Sequence, residues 1–82
     1  MSYFVYILFS EKIQRFYVGH SQDINNRIVE HNSGETPSIS HGIPWKKVWD
    51  TQVATRSEAM TLEKKIKSRG AKRFLSDMGA WP

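Results

Sequence analysis

The chain begins with a continuous run of apolar and aromatic residues at positions 3–9. The length of this run and its β-favouring residues predict a central strand that is covered on both faces, rather than a helix. A polar break at residues 10–14 separates it from a second run at residues 15–19. So short a connection predicts an antiparallel hairpin between the two strands.

The hairpin places two tyrosines on one face of the predicted sheet. With four residues in the loop, Tyr6 lies opposite Tyr17, and opposed residues on paired strands point the same way. Taken singly, each is an ordinary strand aromatic whose hydroxyl meets a carbonyl or the surface. Gly19, at the end of the second strand, indicates a bulge or a close approach of the backbone.

A helix, a loop and a third strand are predicted after the hairpin. Ser21 is a candidate N-cap for a helix that runs to about Asn32 and stops at Gly34. Residues 35–44 contain two prolines and a glycine, which predicts a mobile loop. The apolar residues scattered through positions 45–53 predict the third strand.

The remainder of the chain predicts two helices. Thr55 and Glu58 have the spacing of a capping box, so a helix starts there and runs to about Arg69, with Gly70 as its stop. A short helix follows, and three residues are expected on its buried side: Phe74, Leu75 and Met78.

The first predicted helix has basic residues on the side that should be apolar. Four residues follow the i, i+3, i+4, i+7 spacing and share one face: Ile24, Arg27, Ile28 and His31. Basic residues in such a stripe indicate a functional or strained site. Alternatively, Arg27 reaches Glu30 or the solvent, and His31 offsets the negative C-terminal end of the helix dipole.

The second long helix carries a carboxylate at the border of its apolar stripe. The stripe consists of Ala59, Leu62 and Ile66, and Glu63 lies at its edge. A carboxylate in this position needs a partner, because burial of an unpaired charge is costly. A neighbouring lysine would serve. So would a divalent cation, because one carboxylate with waters and phosphate oxygens is a normal arrangement for magnesium.

Charge is placed unevenly along the chain. Residues 1–41 contain three basic and four acidic residues, whereas residues 42–82 contain nine basic and four acidic ones. A basic second half suggests a polyanionic partner, since lysines and arginines that neutralise phosphates release condensed counterions. Helix faces that are simply solvated are the alternative explanation.

Length and composition exclude several classes of protein. A chain of 82 residues suffices for one compact domain but not for two, and the lack of cysteine excludes disulfides and thiolate-held zinc. His20 and His41 lack the spacing of a zinc pair. The N-terminal apolar run is too short for a bilayer and shows neither a basic leader nor a cleavage site. We therefore expect a cytoplasmic protein without a membrane segment.

The order of these features resembles the GIY-YIG nuclease family. Val5-Tyr6-Ile7 corresponds to the first motif and Tyr17-Val18-Gly19 to the second, and INNRIVEHN at 24–32 and LEKKIK at 62–67 follow them. The likeness covers almost the whole chain and is closest to the short, single-domain branch of the family. Val5 replaces the glycine that the first motif is named for.

The resemblance implies an α+β fold, in which a three-stranded antiparallel sheet is flanked by helices, as a single domain over residues 1–82. It implies an endonuclease that hydrolyses phosphodiester bonds in DNA with one Mg²⁺ or Mn²⁺ ion. No separate base-reading module is attached, so duplex, branched and single-stranded DNA, and also RNA, stay open as substrates. A monomer or a weak homodimer is expected.

The resemblance also gives the tyrosines and histidines their roles. Tyr17 takes the proton of the attacking water, although free tyrosine is protonated at neutral pH and needs nearby cations for this task. Tyr6 and His31 orient the network around that water. His20, which follows Gly19, is a candidate for a substrate contact or a proton relay.

Arg27 and Glu63 complete the implied site. Arg27 stabilises charge on the scissile phosphate, where a guanidinium offers paired donors. Glu63 holds the metal ion. The alternative function is a catalytically inactive nucleic-acid-binding module of the same fold, with exposed Trp45 or Trp49 stacking on bases. A purely structural protein would leave the basic residues in the first helix stripe unexplained.

Overall fold

The computed structural model describes residues 2–81. The elements, in chain order, are β1 (Tyr3–Ser10), β2 (Arg15–Ser21), α1 (Ile24–Asn32), a 3₁₀ helix (Pro37–Gly42), β3 (Lys46–Val53), α2 (Arg56–Arg69) and α3 (Ala71–Asp77). The strands form an antiparallel sheet in the order β2-β1-β3. The predicted α+β fold, a three-stranded antiparallel sheet with flanking helices, is confirmed.

The sheet separates two clusters of buried side chains. One cluster joins β1 and β2 to α2 and α3 and contains Val5, Ile7, Val18, Ala59, Ile66 and Leu75. The other lies on the α1 side and contains Tyr6, Leu8, Ile24 and Trp45. Since side chains alternate along a strand, β1 is covered on both faces, as its continuous apolar run predicted.

The register of the hairpin differs by two residues from the predicted one. Tyr6 lies opposite Gly19, and Tyr17 lies opposite Leu8. The turn closes one residue later, because the Ser10 hydroxyl accepts the Ile13 N–H and the strands pair from there. A shift of two residues preserves the face of every side chain. The two tyrosines therefore still share one face, with ring centroids 6.4 Å apart.

The N-cap of α1 is Asp23 rather than the predicted Ser21. The Asp23 carboxylate accepts the backbone N–H of Asn26 at 3.1 Å. The Ser21 hydroxyl instead accepts the Asp23 N–H at 3.0 Å and forms a turn ahead of the helix. Thr55 caps α2 as predicted, with its hydroxyl 3.1 Å from the Glu58 N–H that it accepts.

Trp45 forms hydrogen bonds to the segment at residues 35–44 and to Asn32. This segment was predicted to be a mobile loop. The segment contains the 3₁₀ helix, and the Trp45 indole N–H donates to the Ile39 carbonyl at 2.8 Å. The side-chain amide of Asn32 donates to the Trp45 carbonyl at 3.0 Å and accepts its backbone N–H at 2.6 Å. These bonds tie the segment to the end of α1 and leave Trp45 only 5% exposed.

Three side chains differ in exposure from the prediction. Trp45 is buried, and Trp49 is partly buried against Phe74, with ring centroids 5.0 Å apart. Neither indole is the exposed stacking surface that was predicted. Met78 is 58% exposed, because α3 ends at Asp77 and Met78 lies beyond the helix side that packs on the sheet.

Candidate active site

Gly19 lets two tyrosine rings lie over β2 on the side of α1. A Cβ at Gly19 would lie 2.7 Å from the Tyr6 hydroxyl oxygen and 3.2 Å from Cε1 of Tyr17. Contacts this short overpack a site and force its neighbours to move. The close approach predicted for Gly19 is therefore present, and it explains why this position of the strand carries glycine.

A buried chain of hydrogen bonds links β1 to α1 and the following segment. Tyr6 is 1% exposed and His31 2%. The Tyr6 hydroxyl lies 3.0 Å from Nε2 of His31, and Nδ1 of His31 lies 3.1 Å from the Thr36 hydroxyl. Thr36 was not among the predicted site residues, because nothing in its local sequence shows that this segment folds back over His31.

The surroundings of Tyr6 and His31 determine which of their atoms carry protons in this chain of hydrogen bonds. Burial above all, and then the electrostatic effect of the neighbouring Tyr17, raises the pKa of Tyr6 well above its ordinary value. Burial, followed by the Arg27 cation, lowers the pKa of His31. We therefore assign a protonated Tyr6 hydroxyl that donates to Nε2 of a neutral His31, whose Nδ1–H donates to Thr36. A neutral His31 does not offset the helix dipole as a cation.

Tyr17 lies beside this chain but is held less tightly. Its ring meets that of His31 edge-on, with centroids 5.0 Å apart, and lies 6.3 Å from the Trp45 ring. It is partly exposed, and within residues 2–81 its hydroxyl has no hydrogen-bond partner. The Tyr17 oxygen is thus available to a water molecule or a ligand.

Arg27 lies at the surface rather than in the core. Its side chain is 45% exposed, with Nη1 3.4 Å from a Glu30 carboxylate oxygen. So exposed a pair is weak and exchanges easily for another anion. Arg27 also lines an open pocket of about 450 Å³, which we call the Arg27 pocket; its other lining residues are Tyr3, His20, Ser21, Gln22, Asp23 and Arg56.

Glu63 joins α2 to β2 through two hydrogen bonds. Nδ1 of His20 donates to Oε1 at 2.7 Å, and Nζ of Lys67 donates to Oε2 at 2.8 Å. Partial burial raises the pKa of Glu63, but the hydrogen bonds from Lys67 and His20 outweigh it and hold the pKa below its ordinary value. The carboxylate is therefore ionised, and the lysine partner considered from the sequence is present.

The residues around Glu63 suit a magnesium ion only if the ion takes most of its ligands from water and substrate. Residues 2–81 contain no group of three or more His, Cys, Asp or Glu side chains that could hold a metal. A site built wholly from protein ligands does not fit there. A single ionised carboxylate does fit an ion that keeps its waters and takes further oxygens from a phosphate. Lys67 is an exposed surface partner that such an ion can displace.

The predicted site residues lie on two sides of β2. His20 pairs with Val5, so it points towards α2, away from the side of Tyr17. The Arg27 pocket connects the two sides, because Arg27 and His20 both line it. The charges of Arg27 and Glu63 both reach the phenol of Tyr6 and act on its pKa in opposite directions. Arg27 lowers that pKa, and Glu63 raises it.

Comparison with known proteins identifies the family of this chain. The chain matches the family model described as the GIY-YIG catalytic domain over residues 2–74. It belongs to the GIY-YIG family. Among solved structures, it resembles the solution NMR structure of a UPF0213 protein from Bacillus halodurans, with 28% sequence identity and a TM-score of 0.61. That alignment covers 100% of this chain and 89% of the other.

A comparison with curated proteins gave no match. Membership of the GIY-YIG family confirms the predicted resemblance and gives the chain a nuclease-type fold. Among residues 2–81, no helix is long and apolar enough to cross a membrane. The predicted cytoplasmic location stays a prediction.

Proposed function

We propose that this chain is a metal-dependent endonuclease that hydrolyses phosphodiester bonds in DNA. The observation that carries the proposal is the Arg27 pocket. There, the guanidinium and His20, which holds the Glu63 carboxylate, line the same opening at the end of β2. A phosphate in this opening would meet the Arg27 cation on one side and His20, the partner of the ionised Glu63 carboxylate, on the other.

Tyr17 is the proposed general base for the attacking water. Its hydroxyl is available, whereas that of Tyr6 is buried and keeps its proton. The hydrogen-bonded chain of Tyr6, His31 and Thr36 therefore orients the site instead of accepting the proton. Because the hydrogen bonds already fix these side chains in the free protein, the reaction does not have to order them and loses no conformational entropy in doing so.

Arg27 is proposed to bind the scissile phosphate. A guanidinium offers two parallel donors to phosphate oxygens, and it stabilises the charge that develops on them. Glu30 is its partner in the free protein, at 3.4 Å. Exchange of an exposed carboxylate for a phosphate costs little, since surface ion pairs contribute about 0–1 kcal/mol.

Glu63 is the residue that would hold Mg²⁺ or Mn²⁺. The His20 N–H fixes one of its carboxylate oxygens at 2.7 Å. A bound ion would polarise the phosphate and neutralise the leaving oxygen. The alternative, an inactive binding module, loses its proposed stacking surface, since Trp45 is 5% exposed.

A plasmid-nicking assay tests the proposal. Wild-type protein should relax supercoiled DNA with Mg²⁺ or Mn²⁺ and not with a chelator. Glu63→Gln should be slower by roughly 100-fold or more, on the scale of losing one stabilising group at a transition state. Its unfolding temperature should change little, and its affinity for Mg²⁺ in a direct titration should fall.

Glu58→Gln is the matched control, because it makes the same change on the same helix at an exposed position. It should cleave at the wild-type rate. Full activity of Glu63→Gln would contradict its role as the metal ligand. Cleavage that continues in the chelator would contradict metal dependence.

A further inference from the structure

A basic groove adjoins the candidate active site. It lies between β2 and the corner where α2 meets α3, and its volume is about 710 Å³. Four of its lining residues are basic: Lys67, Arg69, Lys72 and Arg73. Within residues 2–81, no acidic side chain lines it.

The junction of the two helices brings these charges together. Gly70 ends α2 with a φ of 94°, and α3 starts at the next residue. With no linker between the helices, the last turn of α2 and the first turn of α3 lie side by side. Basic residues on both sides of Gly70 therefore face one opening instead of being spread along a single helix.

The four cations differ in how they are neutralised. Lys67 is paired with Glu63 at 2.8 Å, and Arg69 is paired with Asp77 at 2.9 Å. Lys72 and Arg73 have no ion-pair partner among the residues that the structure describes. The groove thus holds two cations without an ion-pair partner among these residues and a third, Arg69, that a competing anion can release. After the hydrogen bond from Arg69, the nearby charge of Arg73 also lowers the pKa of the Asp77 carboxyl.

The groove is continuous with the candidate site. Tyr17, the proposed general base, lies between Phe16 and Val18 on the stretch of the edge strand that lines the groove, and its ring lies on the α1 side of the sheet. Lys67 also lines it and contacts the proposed metal ligand Glu63. A DNA strand that leaves the candidate site past Glu63 and Lys67, at the edge of β2, would therefore place its next phosphates in this groove.

We propose that the groove binds the phosphodiester backbone of the DNA strand next to the cut. This inference rests on the proposed nuclease function and adds the path of the substrate. The complementarity is between a row of cations and a row of phosphates, which supplies affinity through counterion release. Contacts of this kind fix the position of a strand and carry no sequence information.

Paired charge removals test the groove. Lys72→Gln/Arg73→Gln removes two charges from it, and Lys64→Gln/Lys65→Gln removes two from exposed positions of α2 outside it. Affinity for a short fluorescent DNA duplex is measured in chelator at several salt concentrations, so that cleavage plays no part. The groove pair should bind roughly 10-fold more weakly or worse, with the slope of log K against log salt reduced by about 1.8.

The control pair should stay within about two-fold of wild type, because its charges do not touch the DNA. Equal weakening by the two pairs would overturn the groove and leave only a general effect of net charge. Asp77→Asn provides the opposite change. It frees Arg69 and should tighten binding, with the slope steeper by about 0.9; unchanged or weaker binding would argue against the groove.

The groove and the nuclease function can fail separately. If wild type shows the groove-dependent binding but never nicks plasmid with Mg²⁺ or Mn²⁺, the groove stands and the nuclease proposal fails. If wild type nicks and both charge pairs bind alike, the reverse holds. Should the groove pair unfold, backbone NMR of wild type with DNA decides: shifts at residues 16–18 and 69–73 support the groove, and shifts only elsewhere overturn it.

Discussion

Tyr6 and Tyr17 share one face of the sheet, yet the protein holds them differently. Tyr6 is buried, and its hydroxyl is bonded to His31 at 3.0 Å. Tyr17 is partly exposed and contacts His31 only through the ring edge. Tyr6 belongs to the core, and its polar group is hydrogen-bonded there. Tyr17 is partly buried, and its hydroxyl oxygen is available to a ligand. Stability should therefore depend on one and reaction rate on the other.

Removal of each hydroxyl separates these roles. Tyr17→Phe should fold normally and cleave at least 100-fold more slowly, within the range of about 10²–10⁴ for a general base. Tyr6→Phe leaves the buried Nε2 of His31 without its donor and should cost about 1–3 kcal/mol of unfolding free energy, with a smaller loss of rate. Urea denaturation and plasmid nicking measure both quantities.

The pH profile adds a check on Tyr17. The wild-type cleavage rate should rise with pH through the alkaline range, because a general base must lose its own proton before it can accept one from water. Tyr17→Phe should lose that rise. If it keeps a near-native rate and the same profile, another group is the base, such as His31 or a metal-bound hydroxide.

His31 makes stability depend on pH. Burial, and then Arg27, lowers its pKa from 6.5 in the folded protein. Below pH 6.5 the unfolded chain binds a proton that the folded chain excludes, so unfolding becomes easier as pH falls towards the folded pKa. The loss is about 1.4 kcal/mol for each unit by which the two pKa values differ.

His31→Gln should flatten the stability profile just below pH 6.5. His41→Gln, the same exchange at an exposed position, is the control variant. The groups facing His31 are Tyr6 on β1, Tyr17 on β2, Glu30 and Arg27 on α1, and Thr36. Glu63, whose pKa is lowered from 4.5, stabilises the fold above that value and loses this effect only at lower pH. An unaltered profile in His31→Gln would contradict the role given to burial.

At the scale of elements, local signals predicted where helices and strands lie. The apolar run predicted β1, and Thr55 predicted the start of α2, because each depends on neighbours in the chain. The hairpin register was wrong by two residues, since a hydrogen bond from Ile13 to Ser10 decided it. Both Ser21 and Asp23 are good N-caps, and only the path of the chain selects Asp23.

The sequence predicted the candidate residues of the site but not the contacts between them. Arg27, His31 and Glu63 were visible as charges out of place on helices. The contact of His31 with Thr36 and the burial of Trp45 depend on how residues 33–45 fold back, and no periodic pattern records that path. His20 was visible only through its place after Gly19, and its bond to Glu63 spans 43 positions.

The hydrogen bond from His20 on β2 to Glu63 on α2 should orient the proposed metal ligand. His20→Ala should raise the Mg²⁺ concentration for half-maximal cleavage by about 10-fold, on the scale of other groups that orient a metal ligand. The rate at saturating metal should fall less, and His20→Gln should restore part of the affinity, since its amide can donate to Glu63. A collapsed saturated rate with normal metal affinity would instead place His20 on the substrate or in a proton relay.

At the scale of the whole molecule, the fold gives the charge imbalance a location. Residues 42–82 carry nine of the 12 basic residues, and four of these nine line one groove beside β2. The Arg27 pocket lies at the end of the same strand. The preference for a polyanionic partner predicted from the sequence therefore has a candidate surface, the basic groove beside the candidate site.

If the proposed nuclease acts as a monomer, its single candidate site would cut one strand at a time. Nicked circular plasmid should accumulate first, and linear DNA should appear after a lag, in a gel time course over several protein concentrations. The initial rate should rise in proportion to protein concentration. Linear product without a lag, together with a rate that rises as the square of concentration, would indicate that a dimer cuts both strands.

The central place of β1 matters during synthesis. β1 emerges from the ribosome before either neighbour, and β2 can pair with it almost at once because only four residues separate them. Its other edge waits for β3, which ends at Val53. An open, apolar strand edge is a template for pairing with other chains. The nascent chain is therefore most prone to aggregation while residues 22–45 are emerging from the ribosome, before β3 follows and closes the sheet.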